Sequence, residues 1–268
     1  MLNSLTFIHV AALSKTFDTV RGERIEALRK VSFEVAGGEF VVVVGTSGCG
    51  KSTLLRCLAG LVAPTSGTIT FFGEAATGPR DDVGIVFQES VLLPWRTALQ
   101  NALLPLEIKR RVTPETRTRV KDLLAMVGLA GFENKYPFEL SGGMQQRNAI
   151  AAALSTDPAL LLMDEPFGAL DALTREQMNV DLRRIWAESH KTIVLITHSI
   201  PESVFLADRV LVMSPRPGSV ARIIDVPLGR QRDIRVMASS EFARLTGELR
   251  EALGLEQGTG AVAHGVAS

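Results

Sequence analysis

Apolar positions in this chain change their spacing along its length, and each change marks an element. Phe7 to Leu13 and Val31 to Val35 read as strands on either side of a charged turn at Arg21-Gly22-Glu23-Arg24. Phe40-Val41-Val42-Val43-Val44 is continuously apolar and mostly β-branched, the pattern of a strand covered on both faces of a parallel sheet. A glycine-rich loop follows, then a helix from about Lys51 that stops near Gly60, and short strands at Gly67–Phe72 and Gly84–Phe87. From about Ser90 to Leu154 helical spacing takes over, as in Val120, Leu123, Leu124 and Val127. This stretch reads as an inserted helical subdomain. Strands return at Ala159–Asp164, Thr192–Thr197 and around Arg209–Met213. Strands alternating with helices predict an α/β core with a parallel sheet. Beyond about Pro227 the signal fades, although Phe242, Leu245, Leu249 and Leu253 share one helical stripe that should dock as a terminal helix. Gly258–Ser268 is small and Gly/Ala-rich and reads as a disordered tail.

Composition narrows the class. The 268 residues are 46% hydrophobic and 22% charged, as in an ordinary soluble globular protein. Lys+Arg and Asp+Glu are equal at 29 each, so no net field argues for nucleic acid as a partner. Cys49 and Cys57 match no metal spacing and form no disulfide framework, which leaves packing as their expected role. No apolar run approaches the roughly 18–20 residues needed to span a bilayer. The start, Met1 to Phe7, lacks the basic region and cleavage site of a signal peptide. If the protein works at a membrane, a partner must supply the membrane.

Two glycine-rich runs carry the chemistry. Gly45-Thr46-Ser47-Gly48-Cys49-Gly50-Lys51-Ser52, followed by Thr53, fits G-x-x-x-x-G-K-[ST] between a strand and a helix. Its glycines let backbone N–H groups curl around phosphate oxygens, and the helix N-terminus adds a positive dipole end. Lys51 is expected to reach the β- and γ-phosphates and Ser52 to ligate Mg²⁺. The second run, Leu140-Ser141-Gly142-Gly143-Met144-Gln145-Gln146-Arg147, is a donor-rich turn with Ser141 placed as an N-cap. One phosphate loop already has its own helix. A second phosphate-seeking helix start in the same chain suggests ATP shared between two subunits.

An apolar strand, Leu160 to Met163, ends in Asp164-Glu165. Parallel strands deliver functional groups at their C-terminal ends. Asp164 is expected to hold Mg²⁺, and Glu165 is placed to polarise an attacking water.

In this order the motifs resemble those of the ATPase subunit of an ATP-binding cassette (ABC) transporter, over about residues 5 to 225. The remaining pieces are Gln88 in Val86-Phe87-Gln88, Ala169-Leu170-Asp171, and Thr197-His198. The resemblance implies a P-loop NTPase (RecA-like) core with an antiparallel β subdomain and an inserted α-helical subdomain. It implies an ATPase domain at 5–227 with its helical part at about 90–154, an extension at 228–257 and a tail at 258–268. It places Phe17 against adenine and makes Gln88 a Mg²⁺ and water sensor. Asp171 would act across a homodimer, and His198 would hold the γ-phosphate and water in line. Ser141, Gly142 and Gly143 would face the ATP held by the other subunit. Catalysis would fall to Glu165, His198, Lys51 and Gln88, with Ser52, Gln88 and Asp164 on the metal. Two places depart from the family pattern. Met144 stands where a glutamine is usual. Asn148 and Ala152 replace an apolar residue and an arginine on the same helix.

Leu92-Leu93-Pro94-Trp95-Arg96-Thr97 resembles the nitrate, taurine and aliphatic sulfonate importer branch. There this region receives a short helix from the permease, and an exposed Trp95 is a plausible anchor. The resemblance therefore implies a peripheral subunit on the cytoplasmic face of the inner membrane. It would drive separate permease subunits, with an extracytoplasmic binding protein acting indirectly. The basic positions Lys109, Arg110, Arg111, Arg117, Arg119 and Lys121 read as a solvated helical face. An importer ATPase for a different small solute is one alternative, and a soluble ABC ATPase of DNA repair or translation is the other. The separation of only about 95 residues between the two glycine-rich runs and the single cassette argue against it.

Overall fold

The computed structural model describes residues 6–19, 22–168, 170–189 and 191–255. Among the described residues ten strands form two sheets: β1 (Thr6–Asp18), β2 (Arg24–Ala36), β3 (Phe40–Gly45), β4 (Ser66–Phe71), β5 (Glu74–Ala75), β6 (Val83–Val86), β7 (Leu160–Asp164), β8 (Thr192–Ile196), β9 (Arg209–Met213) and β10 (Val220–Asp225). The first sheet is antiparallel, in the order β2-β1-β4-β5. The second runs β10-β9-β3-β8-β7-β6, parallel except for the edge strand β10.

Alternation along the central strands feeds two cores. In β3, Phe40, Val42 and Val44 pack on one face while Val41 and Val43 pack on the other. Leu161 and Met163 of β7 join the first core, Leu160 and Leu162 the second. A strand with a period of two and a layer on each face must be apolar throughout, which is why β3 is buried from end to end. The second core also takes Leu54, Leu55 and Leu58 of α1 (Lys51–Leu58) and the inner face of the antiparallel sheet.

The other core carries the helical insert: α2 (Ala98–Ile108), α3 (Pro114–Met126) and α4 (Gly142–Ser155). Each starts at a hydroxyl N-cap: Thr97, Thr113 and Ser141. Then come α5 (Ala172–Ser189), α6 (Ile200–Leu206) and α7 (Ser240–Ala252). Phe242, Leu245 and Leu249 of α7 are buried in this core, so the C-terminal stripe does dock.

Three strand expectations need correction, the plainest being β2, which begins at Arg24 inside the expected charged turn rather than at Val31. The first strand runs on past Leu13 to Asp18, because register shifts between Val10 and Leu13 break the alternation without ending the pairing with β2. β10 was not anticipated: it is an edge strand with only Ile224 fully buried, so its sequence carries little period-two signal. Both cysteines are free and buried, as their spacing implied. The tail expectation lies outside the described residues.

Candidate active site

Neighbouring parallel strands end at one edge of the sheet and deliver the site. Val43 of β3 and Asp164 of β7 both lie opposite Ile196 of β8. The phosphate loop, Asp164-Glu165 and Thr197-His198 therefore begin side by side, where such sheets carry ligands.

The loop's shape depends on glycine. Gly48 and Gly50 adopt φ of 74° and 105°, and a Cβ on Gly50 would sit 2.7 Å from the Ala27 carbonyl oxygen. Gly50 is the N-cap of α1 and supplies no side-chain cap. A helix start left uncapped in this way attracts phosphate oxygens. Lys51 is buried, and its Nζ donates to the carbonyls of Gly45 at 2.8 Å and Thr46 at 3.1 Å. The amine is held against the loop by groups that a phosphate oxygen would outbid. Ser52 Oγ donates to Asp164 Oδ1 at 3.1 Å. Burial holds the Asp164 carboxyl above the ordinary carboxylate range, opposed by the Ser52 hydrogen bond.

Glu165 sits at φ 44°, a left-handed conformation costly for a side-chain-bearing residue and often found at functional positions. Its N–H donates to the Ile196 carbonyl at 2.9 Å, and its Oε2 lies 3.0 Å from His198 Nδ1. Ser47, Lys51, Ser52, Glu165, His198 and Arg216 are among the residues around one open cavity of about 370 Å³. Gln88 is exposed and does not line it; its amide and the Glu165 carboxylate both flank Gly168. A Cβ on Gly168 would stand 3.6 Å from both Gln88 Nε2 and Glu165 Oε2.

Beneath His198 lies a group that sequence reasoning passed over. Glu202 is 4% exposed and accepts from Thr197 Oγ1 at 2.8 Å. Its Oε1 has no hydrogen-bond partner among the described residues. Burial pushes this carboxyl up to about 7, against the pull of the Thr197 hydrogen bond. A second missed feature ties the Gln88 segment to α4: Gln146 Nε2 donates to the Phe87 carbonyl at 3.2 Å, and Ser90 Oγ to Gln145 Oε1 at 3.2 Å. Glutamines at i and i+1 of a helix gave no sequence signal for this.

Other sequence candidates stand apart from the cavity. Ser141 and Gly142 are exposed at the start of α4, where Ser141 Oγ accepts the Met144 N–H at 3.3 Å. A Cβ on Gly143 would lie 2.8 Å from Thr174 Cγ2, so this glycine lets α4 meet α5. Asp171 caps α5 by accepting from Thr174 N–H at 3.0 Å and Thr174 Oγ1 at 2.7 Å, bonds that hold its carboxyl below the usual range. Ala169 is outside the described residues. Phe17 is 39% exposed with the Lys15 ammonium 4.9 Å from its ring centroid, and it does not line the cavity.

One chain thus presents a phosphate loop, a hydroxyl–carboxylate pair and a glutamate–histidine pair at one sheet edge, and the comparisons place this arrangement. Residues 28–168 match the family described as ABC transporter. The chain belongs to the ABC transporter family. An uncharacterized ABC transporter ATP-binding protein of Methanocaldococcus jannaschii is 47% identical over 226 residues, 84% of each chain. A taurine import ATP-binding protein of Rhizobium johnstonii is 48% identical over 240 residues, covering 87% of this chain and 90% of its own. Among solved structures, a dimeric ATP-binding cassette in a post-hydrolysis state, bound to ADP and Pi, superposes with a TM-score of 0.71 at 35% identity, covering 82% of this chain and 98% of its own. The cassette is accordingly an ATP-binding protein and an ATP hydrolase coupled to transport. Among the described residues no helix is long and apolar enough to cross a membrane.

Proposed function

We propose that the cassette energises uptake of a small sulfonate such as taurine through a separate permease, on the cytoplasmic face of the membrane. It works there as a homodimer, with an extracytoplasmic binding protein delivering the solute. The observation that carries the solute class is the run of taurine import relatives at 41–48% identity over most of this chain. The permease has a fitting surface. An apolar groove of about 380 Å³ lies between β6 and α4, with Val86, Phe87, Leu92, Ala149, Ala152 and Ala153 on its walls. Trp95 stands nearby in sequence and is 71% exposed. Ala152, where the family pattern has arginine, adds no charge to this groove, whose lining cation is Lys109.

Within the ATP site Lys51 neutralises the phosphate chain, and the backbone of Gly45 to Gly50 cradles it. Ser52 and Asp164 offer hard oxygens 3.1 Å apart at the foot of the loop, a donor pair suited to Mg²⁺, which keeps waters and phosphate oxygens as its other ligands. The desolvated Asp164 carboxyl is a further sign of fit, since a cation there would restore its charged form. Bound Mg²⁺ supplies charge neutralisation at the phosphates. Glu165 accepts a proton from the attacking water, Gln88 orients that water, and His198 holds Glu165 and the γ-phosphate in line. Phe17 stacks on adenine, and Ser141, Gly142, Gly143 and Asp171 serve the partner's ATP. A deletion strain tests the solute: it should fail to grow with taurine as sole sulfur source while growing on sulfate. Normal growth on taurine contradicts the assignment.

A further inference from the structure

The cavity wall carries a cation that none of the recognised motifs supplies. The turn Ser214–Ser219 joins β9 to β10 and is pressed against the phosphate loop. A Cβ on Gly218 would lie 2.0 Å from the Cys49 carbonyl oxygen, so only glycine lets the two backbones meet. The Gly218 N–H donates to the Ala27 carbonyl at 3.0 Å, and its own carbonyl accepts the Arg29 N–H at 2.8 Å. Ser214 N–H donates to the Ser219 carbonyl at 2.9 Å, and the two hydroxyls lie 2.9 Å apart, which closes the turn. A segment pinned on both flanks in this way delivers its middle residue to a fixed place.

That residue is Arg216. It is exposed, lines the cavity with Lys51, Ser52, Glu165 and His198, and makes no ion pair with a described carboxylate. Its charge changes the site's balance. On the wall Lys51 and Glu165 cancel, so Arg216 alone leaves the lining net positive. A phosphate chain with several negative charges needs that surplus, and a planar guanidinium suits paired phosphate oxygens.

We propose that Arg216 is a nucleotide-binding residue whose guanidinium takes phosphate oxygens of bound ATP. The proposal rests on the reading of Gly45–Thr53 as the ATP-binding loop, and its test separates the two. MgATP and adenosine affinities are measured by equilibrium dialysis on the full chain, with melting temperature as the fold control. Arg216→Ala weakens MgATP by about tenfold or more, Arg216→Glu weakens it further, and Arg216→Lys recovers part of the loss. Adenosine binding and melting temperature stay at wild-type values, while Lys51→Ala loses MgATP altogether. MgATP affinity within about twofold of wild type in both Arg216→Ala and Arg216→Glu, with Lys51→Ala still defective, overturns the proposal. An equal loss for adenosine overturns it as well. Wild-type MgATP affinity in Lys51→Ala would sink the loop reading and this proposal together.

Discussion

Two glycine-rich helix starts in this chain look alike in sequence and differ in completeness. The start of α1 is a site built within one chain. Its lysine is buried, its serine is already paired with Asp164, and a cavity opens in front of it. At α4, Ser141 and Gly142 are exposed and do not line that cavity. A Cβ on Gly142 would meet nothing within 4 Å. We propose that the first start holds a ligand and the second meets one carried by a second copy. That difference is the structural argument for ATP shared between two copies.

Breaking the complete half should have the largest effect. Lys51→Ala is expected to weaken ATP binding by at least about a hundredfold, measured by dialysis, because the main cation on the phosphates is lost. Glu165→Gln keeps affinity but slows hydrolysis by about a hundredfold to ten-thousandfold in a phosphate-release assay, as loss of a general base does. Wild-type turnover would show that Glu165 is not the base.

Breaking the open half should separate binding from turnover. Ser141→Arg places bulk and charge on the exposed turn, so each monomer binds ATP normally while hydrolysis falls by about tenfold or more. Loss of ATP affinity in the same variant would mean that α4 serves its own subunit's site. The same helix also hides a weakness. Asn148 is fully buried, and neither its Nδ2 nor its Oδ1 has a partner among the described residues. Asn148→Leu replaces two unsatisfied polar atoms by methyl groups on the same branched skeleton and should raise stability by about 1–3 kcal/mol in urea unfolding.

Glu202 provides the smallest and most selective prediction. Its folded value of about 7 lies above the ordinary 4.5. The stability contributed by the neutral carboxyl is therefore full below about pH 4.5 and lost as pH rises through about 7. Glu202→Gln should flatten the melting temperature across that window relative to wild type. An unchanged slope would mean that Glu202 does not titrate there.

Most of the architecture was legible because burial on both sides of β3, β7 and β8 forces continuous apolar runs. The cap at Ser141 was equally local, whereas those at Thr97 and Thr113 were not read from the sequence. What escaped depends on contacts between distant segments. β10 shows one buried residue to the core, so nothing in its own pattern separates it from a loop. Glu202 looks like an ordinary first-turn acid until Thr197 and the core enclose it. Arg216 sits in a Pro-rich turn without periodicity, and only the packing of Gly218 on Cys49 brings it to the cavity. Phe17 and Asp171 were named through family order, and in the single chain neither lines the cavity.

The most direct test of shared ATP is the mass of Glu165→Gln in solution, by sedimentation with and without MgATP. The account predicts a monomer without nucleotide, a dimer with MgATP, and a monomer again when Ser141→Arg is added. A Glu165→Gln protein that binds MgATP and stays monomeric at micromolar concentration, or a Ser141→Arg double variant that still dimerises, would contradict it.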